Sequence, residues 1–173
     1  MFLAMAAWLM AGTEGRASTG MASQTLSAWL YPTAKLSVPA ATTMSPGAGR
    51  FRSFSAVMPV TYRARTTAGG GGSITLQVTG DFSPAGGPSV SGGALQYSCS
   101  EASLGTACAG LQTAAVGYQT PVLTVPAAAC TGGGGACSAA DSNSLRLNFT
   151  LADDPGYATG SYSAQLTFII SAT

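Results

Sequence analysis

Residues 25–38 read T-L-S-A-W-L-Y-P-T-A-K-L-S-V, and apolar residues occupy every second position of this run. Successive side chains leave opposite faces of a β-strand, so a period of two predicts a strand with one buried face. The apolar face is formed by Leu26, Ala28, Leu30, Pro32, Ala34, Leu36 and Val38. A strand over this whole run would be about 46 Å long, whereas most strands have about 5–6 residues. We therefore expect part of the run to pair outside its own domain, most simply with a neighbouring copy.

The same alternation recurs along the rest of the chain, interrupted by turns rich in glycine and proline. Its segments are 54–64, 74–78, 95–97, 116–118, 123–125, 145–151 and 162–172. After residue 22 there is no run with the spacing of an amphipathic helix. The pattern predicts an all-β fold, an antiparallel, immunoglobulin-like sandwich of about seven or eight strands with a long N-terminal strand. A closed barrel is the alternative. The glycine-rich segments at 69–72, 86–93 and 132–135 are expected to be turns.

The first 22 residues predict a leader for export, that is, a signal peptide. Residues 1–12, M-F-L-A-M-A-A-W-L-M-A-G, form an apolar run of suitable length, and cleavage after Ala17 or Ala22 would follow small residues. No Lys or Arg precedes the run, so the leader would be atypical. A buried helix or a short membrane anchor is the alternative, although a span needs about 20 apolar residues. We expect residues 23–32 to be an N-terminal extension, residues 33–173 to be one β-sandwich domain, and the mature chain to lack a membrane span.

Charge is sparse in this chain. Only 8% of the 173 residues are charged and the net charge is +1, whereas 46% are hydrophobic. A typical soluble domain has about 25% charged residues, so this surface must be mostly Ser, Thr, Gly and Ala. Nucleic acid and anionic lipid bind to basic surfaces, which this composition does not supply. Little repulsion between copies favours self-association.

Four cysteines agree with export. Cys99 and Cys108 are nine residues apart, and Cys130 and Cys137 are seven apart and enclose T-G-G-G-G-A. Of the three pairings we expect the local one, 99–108 and 130–137, because a glycine loop closes without strain. Each bridge would stabilise the fold by about 2.5 kcal/mol. A zinc site is the alternative, but the sequence has neither a close C-x2-C pair nor a histidine.

The sequence lacks the residues that most enzyme mechanisms need. Histidine, the commonest general base, is absent, and there is no nucleophile elbow, phosphate-binding loop or dinucleotide fingerprint. Asp153 and Asp154 precede Pro155-Gly156 and are expected to form a turn rather than a catalytic pair or a calcium site. Asp141-Ser142-Asn143 offers too few carboxylates for calcium. We predict a non-enzymatic protein with no catalytic residue, no cofactor and no metal.

Three further features have both a functional and a plain interpretation. Trp29 and Tyr31 share the more polar face of the first strand, where they would stack on carbohydrate or contact another subunit; packing against the second sheet is the alternative. The sequon Asn148-Phe149-Thr150 lies inside a predicted strand, so we treat it as a chance match. Most positive charge of the mature chain is on Arg50, Arg52, Arg63 and Arg65. Solvated strand faces are a simpler interpretation of these arginines than an anion site.

The end of the chain resembles one strand of a known protein family. Residues 159–171, T-G-S-Y-S-A-Q-L-T-F-I-I-S, are similar to the closing strand of secreted bacterial pilin-type domains, which include the spore coat protein U family and archaic chaperone–usher pilins. The shared features are a G-x-Y, here Gly160 and Tyr162, and an alternating strand with Leu166, Phe168 and Ile170. A long N-terminal strand after a leader is also similar. The resemblance implies an incomplete sandwich whose groove accepts the N-terminal extension of the next subunit.

The resemblance also assigns roles to the first run. Leu26, Ala28 and Leu30 would enter the groove, with Trp29 and Tyr31 at the same subunit interface. Pro32 cannot donate to a ladder, so it would mark the point where residues 33–38 begin the subunit's own sandwich. A head-to-tail contact of this kind generates filaments. The expected partners are a second copy, a periplasmic chaperone and an outer-membrane usher, and the expected location is the cell surface. The alternative function is an extracellular carbohydrate-binding module.

Overall fold

The strands of this protein form where its sequence alternates. The computed structural model describes residues 23–173, so the predicted leader lies outside the described residues. Between residues 23 and 173 there are ten strands: β1 (Thr33–Ser37), β2 (Ser45–Pro46), β3 (Phe54–Arg65), β4 (Gly72–Ser83), β5 (Leu95–Ser100), β6 (Thr106–Ala107), β7 (Leu111–Thr113), β8 (Gln119–Val125), β9 (Asn143–Leu151) and β10 (Ser163–Ala172). Three of them, β2, β6 and β7, have only two or three residues and are too short to be recognised from alternation.

Short 3-10 helices occupy parts of the loops, at Val90–Gly92, Ala127–Ala129 and Gly133–Gly135. Two of them lie in the glycine-rich segments that were predicted to be turns, and the third such segment is a turn that leads into β4. None of the helices found in this part of the chain has the length and hydrophobicity that crossing a bilayer requires.

The strands pack as two antiparallel sheets, which confirms the predicted fold class. Sheet one has the order β1-β3-β9-β5-β7, with β2 also paired to β3, and sheet two has the order β10-β4-β8-β6. The two sheets remain separate, and β1 and β10 are edge strands of sheets one and two. This is a sandwich of immunoglobulin-like size with a hydrophobic core between its layers.

Alternate side chains of the central strands make the core. On β3 the inward residues Val60 and Tyr62 are almost fully buried, and the register pairs Val60 with Leu145 on β9. Tyr97 on β5 packs its ring 5.8 Å from that of Phe149. Its hydroxyl donates across the core to Thr120 Oγ1 of sheet two at 2.7 Å. Burial raises the pKa of Tyr97, so this donor keeps its proton at neutral pH.

The continuous strand predicted over residues 25–38 is present only as β1, Thr33–Ser37. Its pairing with β3 begins at Thr33 opposite Arg65, the last residue of β3. After Arg65 the chain turns away, because the amide of Thr66 donates to the Cys137 carbonyl at 3.2 Å. Pro32 has no N–H to continue the ladder. Among the described residues the segment before Thr33 therefore pairs with no strand. Of the alternating run, the single chain forms a strand over Thr33–Ser37, close to the 33–38 expected for the subunit's own sandwich.

Both disulfides form as the spacing predicted. The Cα atoms of Cys99 and Cys108 are 5.3 Å apart, and those of Cys130 and Cys137 are 4.4 Å apart. The second bridge is buried, and the Cys137 amide donates to the Thr66 hydroxyl at 2.9 Å, which ties its loop to the end of β3. Disulfides persist in oxidising compartments, so the two bridges indicate such an environment for this chain.

Candidate functional site

One side of the sandwich is incomplete, and the gap lies along β10. The inward residues of β4, Ile74, Leu76 and Val78, are at most 1% exposed, as expected for a covered strand. The inward side chains of the neighbouring strand β10 contact the same core but stay only partly buried over its entire length. These residues are Ala164, Leu166, Phe168, Ile170 and Ala172. Among the described residues β1 lies close to β10 without pairing with it, and open space remains beside β10 from Ser163 to Phe168.

The main chain of β10 is also unpaired along one edge. The amide of Thr173 donates to the Gly71 carbonyl at 2.9 Å, and the register with β4 is regular from Ala172 back to Leu166. Main-chain groups of an antiparallel strand alternate between its two edges. The N–H and C=O groups of Leu166, Phe168 and Ile170 must therefore point away from β4. No other strand of the described chain pairs with that edge.

An open depression of about 760 Å³, lined by apolar and polar residues with Asp153 and Asp154 among them, extends from this edge into the gap, and a smaller, more polar one of about 330 Å³ adjoins it. Together we call them the open groove. One bank is the loop after β9 together with β10 as far as Phe168, and the other is the segment 38–44, which follows β1. The largest apolar side chains that line it are Met44, Phe54, Met58, Phe82, Leu166 and Phe168. Within the described residues no main-chain hydrogen bond joins the two banks.

The two ends of the sandwich differ. At the upper pole, which we define by Thr33, Arg65 and Thr173, the sheets are joined because the Thr67 amide donates to the Thr173 carbonyl at 3.0 Å. At the lower pole, defined by Phe54, Ser83 and Ser163, the groove is open. The upper end is therefore closed by protein contacts, and the wide mouth of the groove faces the opposite direction.

The extension, residues 23–32, leaves the molecule at the upper pole. Leu26 is 94% exposed, Leu30 76% and Trp29 86%, so these large apolar side chains are almost entirely in solvent. One hydrogen bond, from Arg65 Nε to the Tyr31 carbonyl at 3.0 Å, attaches the segment to β3. The structure thus places Leu26, Ala28, Trp29, Leu30 and Tyr31 together on one exposed segment, at the pole opposite the mouth of the groove.

The remaining candidate residues have structural surroundings. Asp154 accepts a hydrogen bond from the Gly156 amide at 2.7 Å, so the predicted turn is present at the lower pole. Asn148 lies in the middle of β9, paired with Val57 on one side and Ser98 on the other. Among the residues described, no group of three potential metal ligands comes together.

The arginines are divided between the two poles. Arg63 and Arg65 lie near the upper pole on the outward face of β3, and Arg63 donates to the Ala140 carbonyl at 2.9 Å. Arg50 and Arg52 lie in or next to the turn before β3 at the lower pole. They do not converge on one anion site.

Tyr62 donates to the Leu104 carbonyl, and burial raises the pKa of its hydroxyl.

Sequence reasoning identified one bank of the groove and missed the other. Leu166, Phe168 and Ile170 belong to a clear alternating strand. The second bank, residues 38–44, continues the alternation of β1 through Val38, Ala40 and Met44, but Thr42 interrupts it. Phe82 lies at the end of β4 and follows the alternation of Ile74, Leu76 and Val78. Extending the alternation of β4 by two steps, across Gly80, would have found Phe82, and extending that of β1 past Thr42 would have found Met44.

The sequence was compared with known proteins. No protein-family model matches it, and no curated protein sequence is significantly similar to it.

Proposed function

We propose that this protein is an exported, non-enzymatic structural subunit of a surface filament or coat. Copies are joined head to tail when the extension of one molecule enters the open groove of the next. The observation that carries this proposal is that one chain has two complementary parts. One is a sandwich that is open along β10, and the other is an apolar, strand-forming segment exposed to solvent.

The two parts are complementary in chemistry. The groove presents half-buried apolar side chains and a free strand edge, which together accept an added β-strand. The extension presents a leucine or alanine at every second position. An exposed apolar patch of this kind marks an interaction surface. Burial of each leucine would contribute about 1.5–3 kcal/mol to the joint, and the main-chain ladder would add to it.

The extension is long enough to cover the groove. It has ten residues, 23–32, whereas β10 lines the groove only from Ser163 to Phe168. At about 3.3 Å per residue the extension is about 33 Å long and that part of β10 about 20 Å. Because the extension leaves at the upper pole and the groove opens at the lower pole, each copy offers its donor and its acceptor in opposite directions. Such a contact does not close on itself, and it adds subunits without limit.

Export follows from the same proposal. The two disulfides require an oxidising compartment, and the predicted leader supplies a route to it. A subunit with an open apolar groove aggregates unless the groove is covered, so a periplasmic chaperone that occupies it before assembly, and an outer-membrane usher, are the partners that we propose besides a second copy. The surface of the cell is the proposed destination.

Deletion of residues 23–31 tests the function. The full chain is expected to form growing oligomers in light scattering, whereas the deletion variant should remain a folded monomer, because the extension adds no buried side chain to the sandwich. A matched pair of substitutions sharpens the test. Leu26→Asp with Leu30→Asp should abolish growth, whereas Thr25→Asp with Ser27→Asp puts the same charge on the opposite face and should leave assembly largely intact. A full chain that stays monomeric, or a deletion variant that unfolds, contradicts the proposal.

Exposed aromatic residues favour one competing function. Trp29 and Tyr31 are 86% and 74% exposed and lie two residues apart, as a carbohydrate platform would need. A binding module of that kind would lose retention on a polysaccharide matrix with Trp29→Ala while its oligomeric state stayed the same. Under the filament proposal the oligomeric state depends on the extension, so the two functions give opposite results.

A further inference from the structure

We infer that the outward face of sheet two is a second contact surface, which packs against the same face of a copy in a neighbouring filament. This contact joins filaments side by side. The inference rests on the proposed function and extends it from a single filament to a layer of filaments. It is carried by the charge, the internal hydrogen bonds and the area of this face.

The outward face of sheet two is uncharged where its strands pair. Alternate residues of β4, β6, β8 and β10 point away from the core and form what we call the neutral face. They are Ser73, Thr75, Gln77, Thr79, Thr106, Gln119, Pro121, Thr124, Thr167, Ile169 and Ser171. The one charged residue of these four strands, Asp81, lies at the end of β4 and directs its carboxylate to the amides of Phe82 and Val90.

The opposite side of the sandwich is charged. On the outward face of sheet one Lys35 lies directly opposite Arg63, and Arg65 is two residues further along β3. Two copies that met through this side would place like charges together, which opposes association. Of the two outer faces, only the neutral face can therefore pack against its own counterpart without repulsion.

The polar side chains of the neutral face are already bonded to one another. Cross-strand hydrogen bonds join their oxygen atoms in three pairs, Ser73–Ser171 at 2.8 Å, Thr79–Thr167 at 3.1 Å and Thr75–Gln119 at 2.9 Å. A hydroxyl that loses water without another partner costs free energy, whereas a hydroxyl that keeps a bond inside the protein costs much less. Covering this face is therefore less costly than covering a surface of unpaired polar groups.

The neutral face also has apolar residues within it. Ile169 on β10 is 37% exposed and lies beside Thr75, which is paired on its other side with Pro121. When the extension of another copy enters the groove with its leucines inward, its alternate residues Trp29 and Tyr31 point outward and widen the same face. Aromatic residues are enriched in protein interfaces and charged ones are depleted, as on this face.

The area of the neutral face suits a contact between filaments better than a contact between free subunits. Four strands about 4.8 Å apart and up to about 30 Å long cover roughly 500 Å². Two such faces bury roughly 1,000 Å², which is at the low end for a specific interface. Single subunits would therefore separate, in agreement with the monomer expected of the variant that lacks residues 23–31. Along two filaments the contact is repeated, and the repeated contacts add to each other.

Lysines on the neutral face test the inference in the full chain. Wild-type filaments should lie side by side in electron micrographs. Gln77→Lys with Thr124→Lys should give single filaments, with the bundled share about tenfold lower or less, because like charges then meet in the contact. Gln96→Lys with Thr61→Lys is the matched control, since it adds the same charge in place of the same residue types on the outward face of sheet one. These filaments should stay bundled.

A mixture provides a second test of the face. Filaments with Gln77→Glu and Thr124→Glu should also be single, but they should form bundles when they are mixed with the lysine filaments. The reason is that each contact then joins opposite charges across the same two faces. Growth of the single filaments, followed by light scattering before bundles appear, should remain as in the wild type, because neither position lies on β10 or in the extension.

The outcomes separate this inference from the function on which it rests. Wild-type filaments that stay single overturn the inference and leave strand exchange intact. Equal bundling of the two lysine variants overturns the assignment to this face. Single wild-type filaments that are retained on a neutral polysaccharide matrix, unless Gln77 and Thr124 are replaced, would make carbohydrate the partner instead. A wild-type chain that forms no oligomers overturns the proposed function itself, and this inference with it.

Discussion

Because Gly87 has no side chain, the ring of Tyr162 can pack against it at the lower mouth of the groove. A Cβ atom on Gly87 would lie 2.3 Å from Cε1 of Tyr162, which is closer than van der Waals contact allows. The Tyr162 hydroxyl donates to the Ala158 carbonyl at 2.7 Å, so displacement of the ring would also cost this bond. Tyr162, the tyrosine of the G-x-Y, thus has a physical role in shaping the site.

We expect Gly87→Ala to lower the free energy of unfolding by about 1–3 kcal/mol, the usual cost of overpacking. Urea denaturation measures this loss. Gly92→Ala is the control, since a Cβ there would have no neighbour within 4 Å. Equal stability of the two variants would show that Tyr162 yields at no cost.

The Asp81 carboxylate holds the loop between β4 and β5 in place through hydrogen bonds. Its carboxylate accepts hydrogen bonds from the amides of Phe82 and Val90, each at 2.7 Å, and from the Ser89 hydroxyl at 2.6 Å. Burial alone would raise the pKa of this carboxyl, but the bonds from Ser89, Val90 and Phe82 outweigh it and hold the pKa below its usual value.

A lowered pKa in the folded state fixes the sign of the pH effect. The stabilisation by Asp81 is present in full above the unfolded-state pKa, about 3.9, and is lost as pH falls through the lower folded-state value. We expect Asp81→Asn to melt at a lower temperature than the wild type at pH 7, with a difference that shrinks below about pH 4. Melting curves from pH 2 to 7 measure it. Asp141→Asn removes an exposed charge and should show no such convergence; a constant difference for Asp81→Asn would contradict the assignment.

At the scale of elements, β10 is the strand whose contribution is incomplete. Leu147 on β9 is fully buried, whereas Leu166 on β10 is only partly buried in the single chain. Loss of side-chain atoms costs free energy in proportion to the contacts that those atoms make. The same leucine-to-alanine change should therefore have different effects on the two strands.

In the variant lacking residues 23–31, Leu147→Ala is expected to cost about 2–5 kcal/mol and Leu166→Ala less than half as much. Urea denaturation of the monomers gives both values. In the assembled full chain Leu166 becomes buried, so Leu166→Ala should then lower the melting temperature by nearly as much as Leu147→Ala. Equal costs in the monomer would mean that the groove is already closed without the extension.

At the scale of the whole molecule, the proposed joint between subunits has two parts: the sandwich of one copy and the extension of the next. Their separation predicts that the joint can be rebuilt from its parts. A peptide of residues 23–32 should bind the variant that lacks 23–31 and stabilise it by about 2.7 kcal/mol at a hundred times the dissociation constant. A peptide with aspartate at positions 26 and 30 is the control.

Trp29 reports the same event. The chain has two tryptophans, Trp8 and Trp29, so Trp8→Phe leaves Trp29 as the only one. Its emission should shift to shorter wavelength as oligomers grow, because an indole that is 86% exposed becomes packed on sheet two. Growth with no spectral change would place the joint elsewhere.

Local patterns in the sequence were sufficient for much of this protein. Alternation along β3, β4, β9 and β10 predicted strands and their buried faces, because a period of two is dictated by the pleat itself. The spacing of Cys99, Cys108, Cys130 and Cys137 predicted the two disulfides, since short loops bring those residues together whatever the rest of the chain does. Alternation also indicated that residues 25–38 were too long a strand for one domain.

Tertiary structure decided the rest, because the remaining features depend on which segments meet. The start of β1 at Thr33 was fixed by the end of β3 at Arg65, and no local pattern contains that register. The half-burial of Leu166 and Phe168 arises from the absence of a neighbour beside β10, whereas their sequence alternation is the same as that of a covered strand. The opposite positions of the extension and the groove mouth, which determine the direction of assembly, exist only once both sheets are packed.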